Sequence, residues 1–486
     1  MRRNEFERLE LRTLLRLVCD TAALRPNQKH RRERAGFMKM KPWLILAVTL
    51  FCTDISHAQR KPDKTVPPAL EPQLKKFFVE KKAQAKALAK VENREPMPEV
   101  WDFFAAGEKG DWNTVASLYR QLRRGAHLET MVWQPVKECF FGYEQCANFS
   151  ARYVTHLARE ILDSMPRGSI YFGGNASALD LPTAFCQSHP KGEPVFVLSQ
   201  NALVDGLYLK YLRTMFGSRI GMPSDEDSKR AFLAYTNDAR LRLKEGKLKP
   251  GEDVTENGGK LNISGHVSVM AINALVAKTI FDANPRHEFF VAESFPLDWM
   301  YPHLEPRGLI LKLNRQPMEK IPDDIVRKDG EYWTRFIKGA LGQWLTPTTS
   351  VEVVCDFAQS VFALQEQEPF QPDEQFVRNS DACETYSKLR SAQAGVYLWR
   401  AKHSQSPEEK QRMEKAADLA FRQAFALCPS SAEALFRYVS VLVDQKRFQD
   451  ARRLTEVTRI LDPTEGSYHQ LLQELDRLEA SANKGK

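Results

Sequence analysis

Apolar positions follow two rhythms along this chain. Toward both ends they recur every three or four residues, the spacing that lines one face of a helix, whereas in the middle short apolar runs alternate with helical stretches. Residues 74–91 carry strong helix formers and an irregular apolar stripe, and Pro96 and Pro98 end it. Residues 99–106 and 113–122 are short amphipathic pieces around the Gly-containing stretch 107–112, which predicts a helical hairpin. From residue 150 the pattern changes. Helices are expected over 151–165, 180–188, 203–216, 225–244 and 267–283, and buried strands over 169–172, 195–199, 288–292 and 309–313. Tyr153, Leu157, Ile161 and Leu162 form the inward stripe of the first helix, and Leu207, Tyr211, Leu212 and Met215 that of the third. Ser224 is placed to N-cap the fourth, with Asp225 and Glu226 in its first turn. The polar, Gly-rich residues 244–260 read as a loop. Residues 322–364 return to helix, with Trp333, Phe336, Ile337, Leu341, Trp344 and Leu345 as core candidates.

Helix and strand in repetition predict an α/β fold of Rossmann-like type, a mostly parallel sheet with helices on both faces. The tail has another signature. Ala417, Phe421, Ala424 and Pro429 spell A-x3-F-x2-A-x4-P, and the next equivalent proline, Pro463, stands thirty-four residues on. Leu435, Tyr438, Leu442 and Ala451 lie between them at packing positions, and thirty-four residues is the tetratricopeptide period. C-terminal α-helical tetratricopeptide-like repeats are therefore expected, closed by a capping helix over 467–480. Thr455 and Thr458 replace the aromatic and the alanine in the second copy, which predicts looser packing there. So few repeats are marginal alone and should pack on the α/β body. The chain divides into 1–58 (an upstream extension and signal peptide), 59–98 (linker and helix), 99–149 (helical hairpin), 150–364 (α/β domain) and 384–480 (repeats).

Charge sharpens the reading of the N-terminus. The chain has 70 Lys/Arg against 62 Asp/Glu, but residues 1–58 hold 12 against 6. The remainder, 58 against 56, is nearly balanced and makes no electrostatic case for nucleic acid. Within the first segment Met38-Lys39-Met40-Lys41 is a cationic start, residues 43–52 (WLILAVTLFC) an apolar run, and Ser56-His57-Ala58 a small-residue cleavage site. These are the three regions of a secretory signal, with cleavage expected after Ala58 and a periplasmic or secreted product. Ten apolar residues are too few for a permanent span, so none is expected. Six of the eight cysteines lie beyond this segment. Cys139 and Cys146 are the one pair near enough in sequence to suggest a bridge, and buried free thiols are the alternative.

Standard catalytic, nucleotide and zinc signatures are missing, and neither a cofactor nor a metal is expected. The crevice outside the carboxyl ends of the strands is then the privileged place. Three clusters fall there. Gly173, Gly174 and Asn175 with Asp180 suit a ligand cradle or a tight strand-to-helix turn. Gln200, Asn201 and Asp205 offer amides for hydroxyl-rich ligands or, equally, a helix cap. Glu293, Asp298, Trp299 and Tyr301 pair carboxylates with rings, as a sugar site would; core aromatics and a helix cap are the alternative.

The order of these clusters resembles the soluble C-terminal region of bacterial membrane-embedded glycosyltransferases of the protein O-mannosyltransferase-like class. The stretches are REILDSMPRGSIYFGGNASALD (159–180), VFVLSQNALVD (195–205) and INALVAKTIFDANPRHEFFVAESFPLDWMYPHLEPRGLILKL (272–313). The resemblance covers about a third of the chain and implies a strand-and-loop region near a glycan site and a helical repeat tail. The chain departs from the class in having no run of transmembrane helices after its signal, and in placing Asn175-Ala176-Ser177-Ala178-Leu179 where an acidic run often follows Gly174. The leading expectation is an exported periplasmic binding or scaffold protein, with a crevice for a glycan or other small polar ligand and a repeat surface for a protein or peptide partner. The alternative is a glycosyltransferase-related enzyme or accessory subunit, which requires Glu293, Asp298, Asp180 and Asp205 to share one pocket. A purely structural envelope protein, with no ligandable cleft, is the third.

Overall fold

A computed structural model describes residues 65–124, 126–174, 176–186, 195–249, 251–292 and 297–484. The expected signal, residues 38–58, lies outside them.

The N-terminal third is helical: α1 (Glu71–Glu92), α2 (Pro98–Lys109), α3 (Trp112–Leu122) and α4 (Trp133–Asn148). Gly110, at φ 83°, ends α2, and Asp111 N-caps α3 by accepting from the Thr114 amide. A Cβ at Gly107 would fall inside the Phe78 ring, so this glycine lets α1 and α2 meet. Phe78, Phe103, Phe104 and Trp112 then pack as one aromatic cluster. The helix α4, unforeseen from the sequence, joins it through Tyr143 stacked on Trp112.

Next come α5 (Ala151–Asp163), β1 (Ser169–Gly173), α6 (Ala176–Phe185), β2 (Val195–Ser199), α7 (Gly206–Phe216) and α8 (Asp225–Lys244). Ser224 caps α8 in a full capping box with Asp227. The stretch expected to be a loop holds a hairpin, β3 (Asp253–Asn257) and β4 (Lys260–Ser264), turned at Gly258-Gly259, both with positive φ. There follow α9 (His266–Ala283), β5 (Phe289–Val291), β6 (Leu304–Arg307), β7 (Ile310–Leu313), α10 (Asp323–Leu341) and α11 (Val351–Phe357).

The main sheet runs β2-β1-β5-β7-β6 and corrects the expected fold class. β1 pairs parallel with β2 and β5, but β7 is antiparallel to β5 and β6 to β7. The sheet is therefore mixed and small, not the mostly parallel sheet of a Rossmann-like fold. Helix accounts for 68% of the structure and strand for 8%. The physical cause is the connection after β5. A short 3₁₀ turn at Asp298–His303 replaces the helix a parallel crossover requires, and Gly308, at φ 59°, folds β6 straight onto β7. Pro306 is tolerated because β6 is an edge strand.

The tail is α12 (Ser380–His403), α13 (Pro407–Leu427), α14 (Ala432–Asp444), α15 (Phe448–Leu461) and α16 (Ser467–Lys484). One hydrophobic core runs without a break from α1 to α16, and a small second cluster, Tyr235, Ala239, Val254 and Ile272, holds α8 and the hairpin to α9. Body and tail also share a buried polar network. Arg390 on α12, 1% exposed, donates to Asp329 of α10 at 2.8 Å and to Gln423 of α13 at 2.9 Å. Tyr397 donates to the same Asp329 oxygen at 2.8 Å. Gln393 accepts from Trp333 at 2.5 Å and donates to the Gly308 carbonyl at 2.7 Å, reaching the β6–β7 turn. Arg400 adds bonds to the Met318 and Pro302 carbonyls. Thr455 and Thr458, expected to loosen the second helical pair, are wholly buried, and the Thr458 hydroxyl donates to the Pro429 carbonyl at 2.9 Å. Among the described residues no helix is long and apolar enough to cross a membrane. Cys139, Cys146, Cys186, Cys355, Cys383 and Cys428 are buried free thiols.

Candidate functional site

Parallel pairing sets Gly173 opposite Ser199, so the loops that leave β1 and β2 meet. Asn201 donates to the Gly174 carbonyl at 2.8 Å and joins the first two clusters. Asn273, buried on α9, donates to the Asn201 carbonyl at 3.1 Å and accepts from the Val204 amide at 2.8 Å. Asp205 N-caps α7 by accepting from the Leu207 amide at 2.9 Å, and Gln200 is buried. Gly173 has no positive φ; its role is packing, since a Cβ there would lie 2.8 Å from Leu179 Cδ1. Asp180 is buried inside α6, where desolvation first, then the Glu144 and Glu138 carboxylates, push its carboxyl well above the usual range. Asn175 lies outside the described residues. Asn201, Asn273 and Asp205 are committed to main-chain groups of the fold itself.

The third cluster divides. Glu293 lies outside the described residues. Asp298 is exposed and faces Lys249 at 3.2 Å. Trp299 turns inward, donating to the Ala274 carbonyl at 2.9 Å and packing on Phe281. Tyr301 turns toward the tail and stacks on Trp399 of α12 with centroids 5.8 Å apart. Asp180, Asp205 and Asp298 thus occupy three different settings: buried in a helix, bonded in a cap, and exposed to solvent. Among the described residues no group of three or more His, Cys, Asp or Glu is placed to hold a metal ion.

A groove of about 310 Å³ opens elsewhere, between α5 and α10. Arg152, His156 and Glu160 recur at four-residue spacing on α5, and Tyr332, Phe336 and Gly339 line the facing side of α10 with Arg335 beside them. Phe336 stacks on Tyr386 of α12 at 4.4 Å. His156 lies 5.3 Å from the Phe336 ring, and its Nδ1 is 2.8 Å from the Tyr386 hydroxyl. Arg152 and the Tyr153 hydroxyl both donate to Asp373 Oδ2, at 2.6 and 2.7 Å. Burial, helped by Arg152 and opposed by Glu160, holds His156 below the usual imidazole value. Burial and Glu160 push the Tyr332 phenol up.

No protein-family model, no curated protein and no solved structure matches this chain. The groove therefore rests on its own geometry. Sequence reading passed over it because Tyr153 and Phe336 were expected in the core and the polar residues beside them match no catalytic or ligand motif. The available signal was the i, i+4 recurrence of Arg152, His156 and Glu160, which puts a cation, an imidazole and a carboxylate on one stripe.

Proposed function

We propose that this chain is an exported binding or scaffold protein whose C-terminal helices form a tetratricopeptide-like array that holds a protein partner. One observation carries the reading. Positions thirty-four residues apart are buried alike in successive helical pairs: Ala417 with Ala451, Phe421 with Thr455, Ala424 with Thr458. A sequence period that coincides with a packing period is what stacked helical repeats produce, and their outward faces serve as extended binding surfaces. The buried network around Arg390 supports the same reading, because an array fixed to a body presents its surface in one orientation. Export rests on the charge, apolar run and cleavage pattern of residues 38–58.

A photo-crosslinking residue placed at exposed Lys410 or Ile460 tests the partner surface against exposed body positions Val79 and Leu241. Discrete protein adducts in the native envelope at the tail positions, and none at the body positions, are expected. Adducts confined to the body positions would contradict the reading.

A further inference from the structure

The geometry points to the α5–α10 groove as a binding site for a small aromatic carboxylate, its anionic group held by Arg335 and Arg152 and its ring laid on Phe336. The walls divide by chemistry. At the rim stand two guanidinium groups, one from each helix. Arg152 keeps its side chain 62% exposed while using Nη1 on Asp373, and Arg335 has no ion pair among the described residues. A guanidinium presents paired donors that match the two oxygens of a carboxylate. The floor is aromatic and held rigid, since Phe336 is fixed by Tyr386 on one side and by Trp333 at 5.7 Å. Glu160, beside the Tyr332 hydroxyl, adds an acceptor to the groove wall, suited to a ring hydroxyl or amine. A volume near 310 Å³ stands at the lower end of small-molecule sites and admits a single ring with its substituents.

Gly339 gives a way to fill the groove. It lines it from inside α10, its φ is not positive, and nothing lies within 4 Å of the place its Cβ would occupy, so a larger side chain there would project into the open space.

The inference is independent of the partner-binding tail. Calorimetric titration of the full chain with 4-hydroxybenzoate tests it, with uncharged 4-hydroxybenzamide and inorganic phosphate as comparison probes. Saturable binding of the carboxylate is expected. Arg335→Gln should weaken it about tenfold or more, the equivalent of ~1.4 kcal/mol. Gly339→Leu, which fills the groove from an unstrained helical position, should abolish it while leaving the melting temperature at or above that of the parent. Benzamide binding should be at least about tenfold weaker, by the same measure. No saturable binding of 4-hydroxybenzoate, binding unchanged in both variants, or phosphate bound as tightly as the aromatic acid would each overturn the assignment.

Discussion

Asp180 is a carboxyl taken out of water on α6, where the Glu144 and Glu138 carboxylates disfavour its ionisation and the Lys137 cation favours it. Its value is raised in the fold, so the stability it supports is fully present below the ordinary carboxylate range, near 4. That contribution is lost as pH rises through the higher folded value. Asp180→Asn, which needs no proton to stay neutral, should flatten the decline in denaturant midpoint between pH 4 and 8. It should also leave the protein more stable than the parent at pH 8. A variant whose decline parallels the parent's would contradict this. The thiols make a second expectation. Burial pushes Cys146, Cys355 and Cys428 up to about 12. All six described cysteines should resist a thiol-disulfide reagent at pH 8 in the native state and react in denaturant; rapid native labelling would refute their burial. At this scale the sequence shows residue types but not their commitments. That Asn201 would bond the Gly174 carbonyl, or that Gly173 would serve packing against Leu179, follows only from how β1, α6 and β2 are folded together.

Among elements, the junction of α10, α12 and α13 has the most at stake. The side chains of Asp329 and Arg390 are both 2% exposed, and losing one partner strands the other in a dry core. Arg390→Met should cost about 3–5 kcal/mol, read from chemical unfolding at constant slope. A loss under about 1 kcal/mol, the range of a surface pair, would show the network to be incidental. Helices were the legible elements: 225–244 coincides with α8, Ser224 caps it as expected, and the helix expected over 467–480 falls within α16. Local signals suffice there. The two hairpins were not legible because their strands are short and either largely polar or interrupted by proline. The first, at 253–264, has a nearly polar outer face, and the second was read as one strand because Pro306 argues against a ladder until β6 is known to be an edge. α4 was passed over although it carries an apolar face of Trp133, Val136, Phe140 and Tyr143.

For the whole molecule, the alternation of helix and strand through the middle of the chain was legible, and the number of strands and the sheet type were not. Three of the foreseen strands do pair in parallel, but the connection after β5 makes the small sheet mixed, and helix far outweighs it. The export reading makes its own expectation: residues 1–58 fused to a reporter enzyme active only outside the cytoplasm should yield activity, and Leu46→Arg within the apolar run should remove it. Binding through the tail in one orientation requires tail and body to form one cooperative unit, because a surface held by a buried network is fixed in orientation and one on a loose appendage is not. Hydrogen exchange followed by mass spectrometry measures this directly. Backbone amides of α12 and α13 should exchange at the same slow, global rate as β1 and β5, and Arg390→Met should speed all four together. Faster exchange of α12 to α16 as a separate unit, with the sheet unaffected by that substitution, would contradict it.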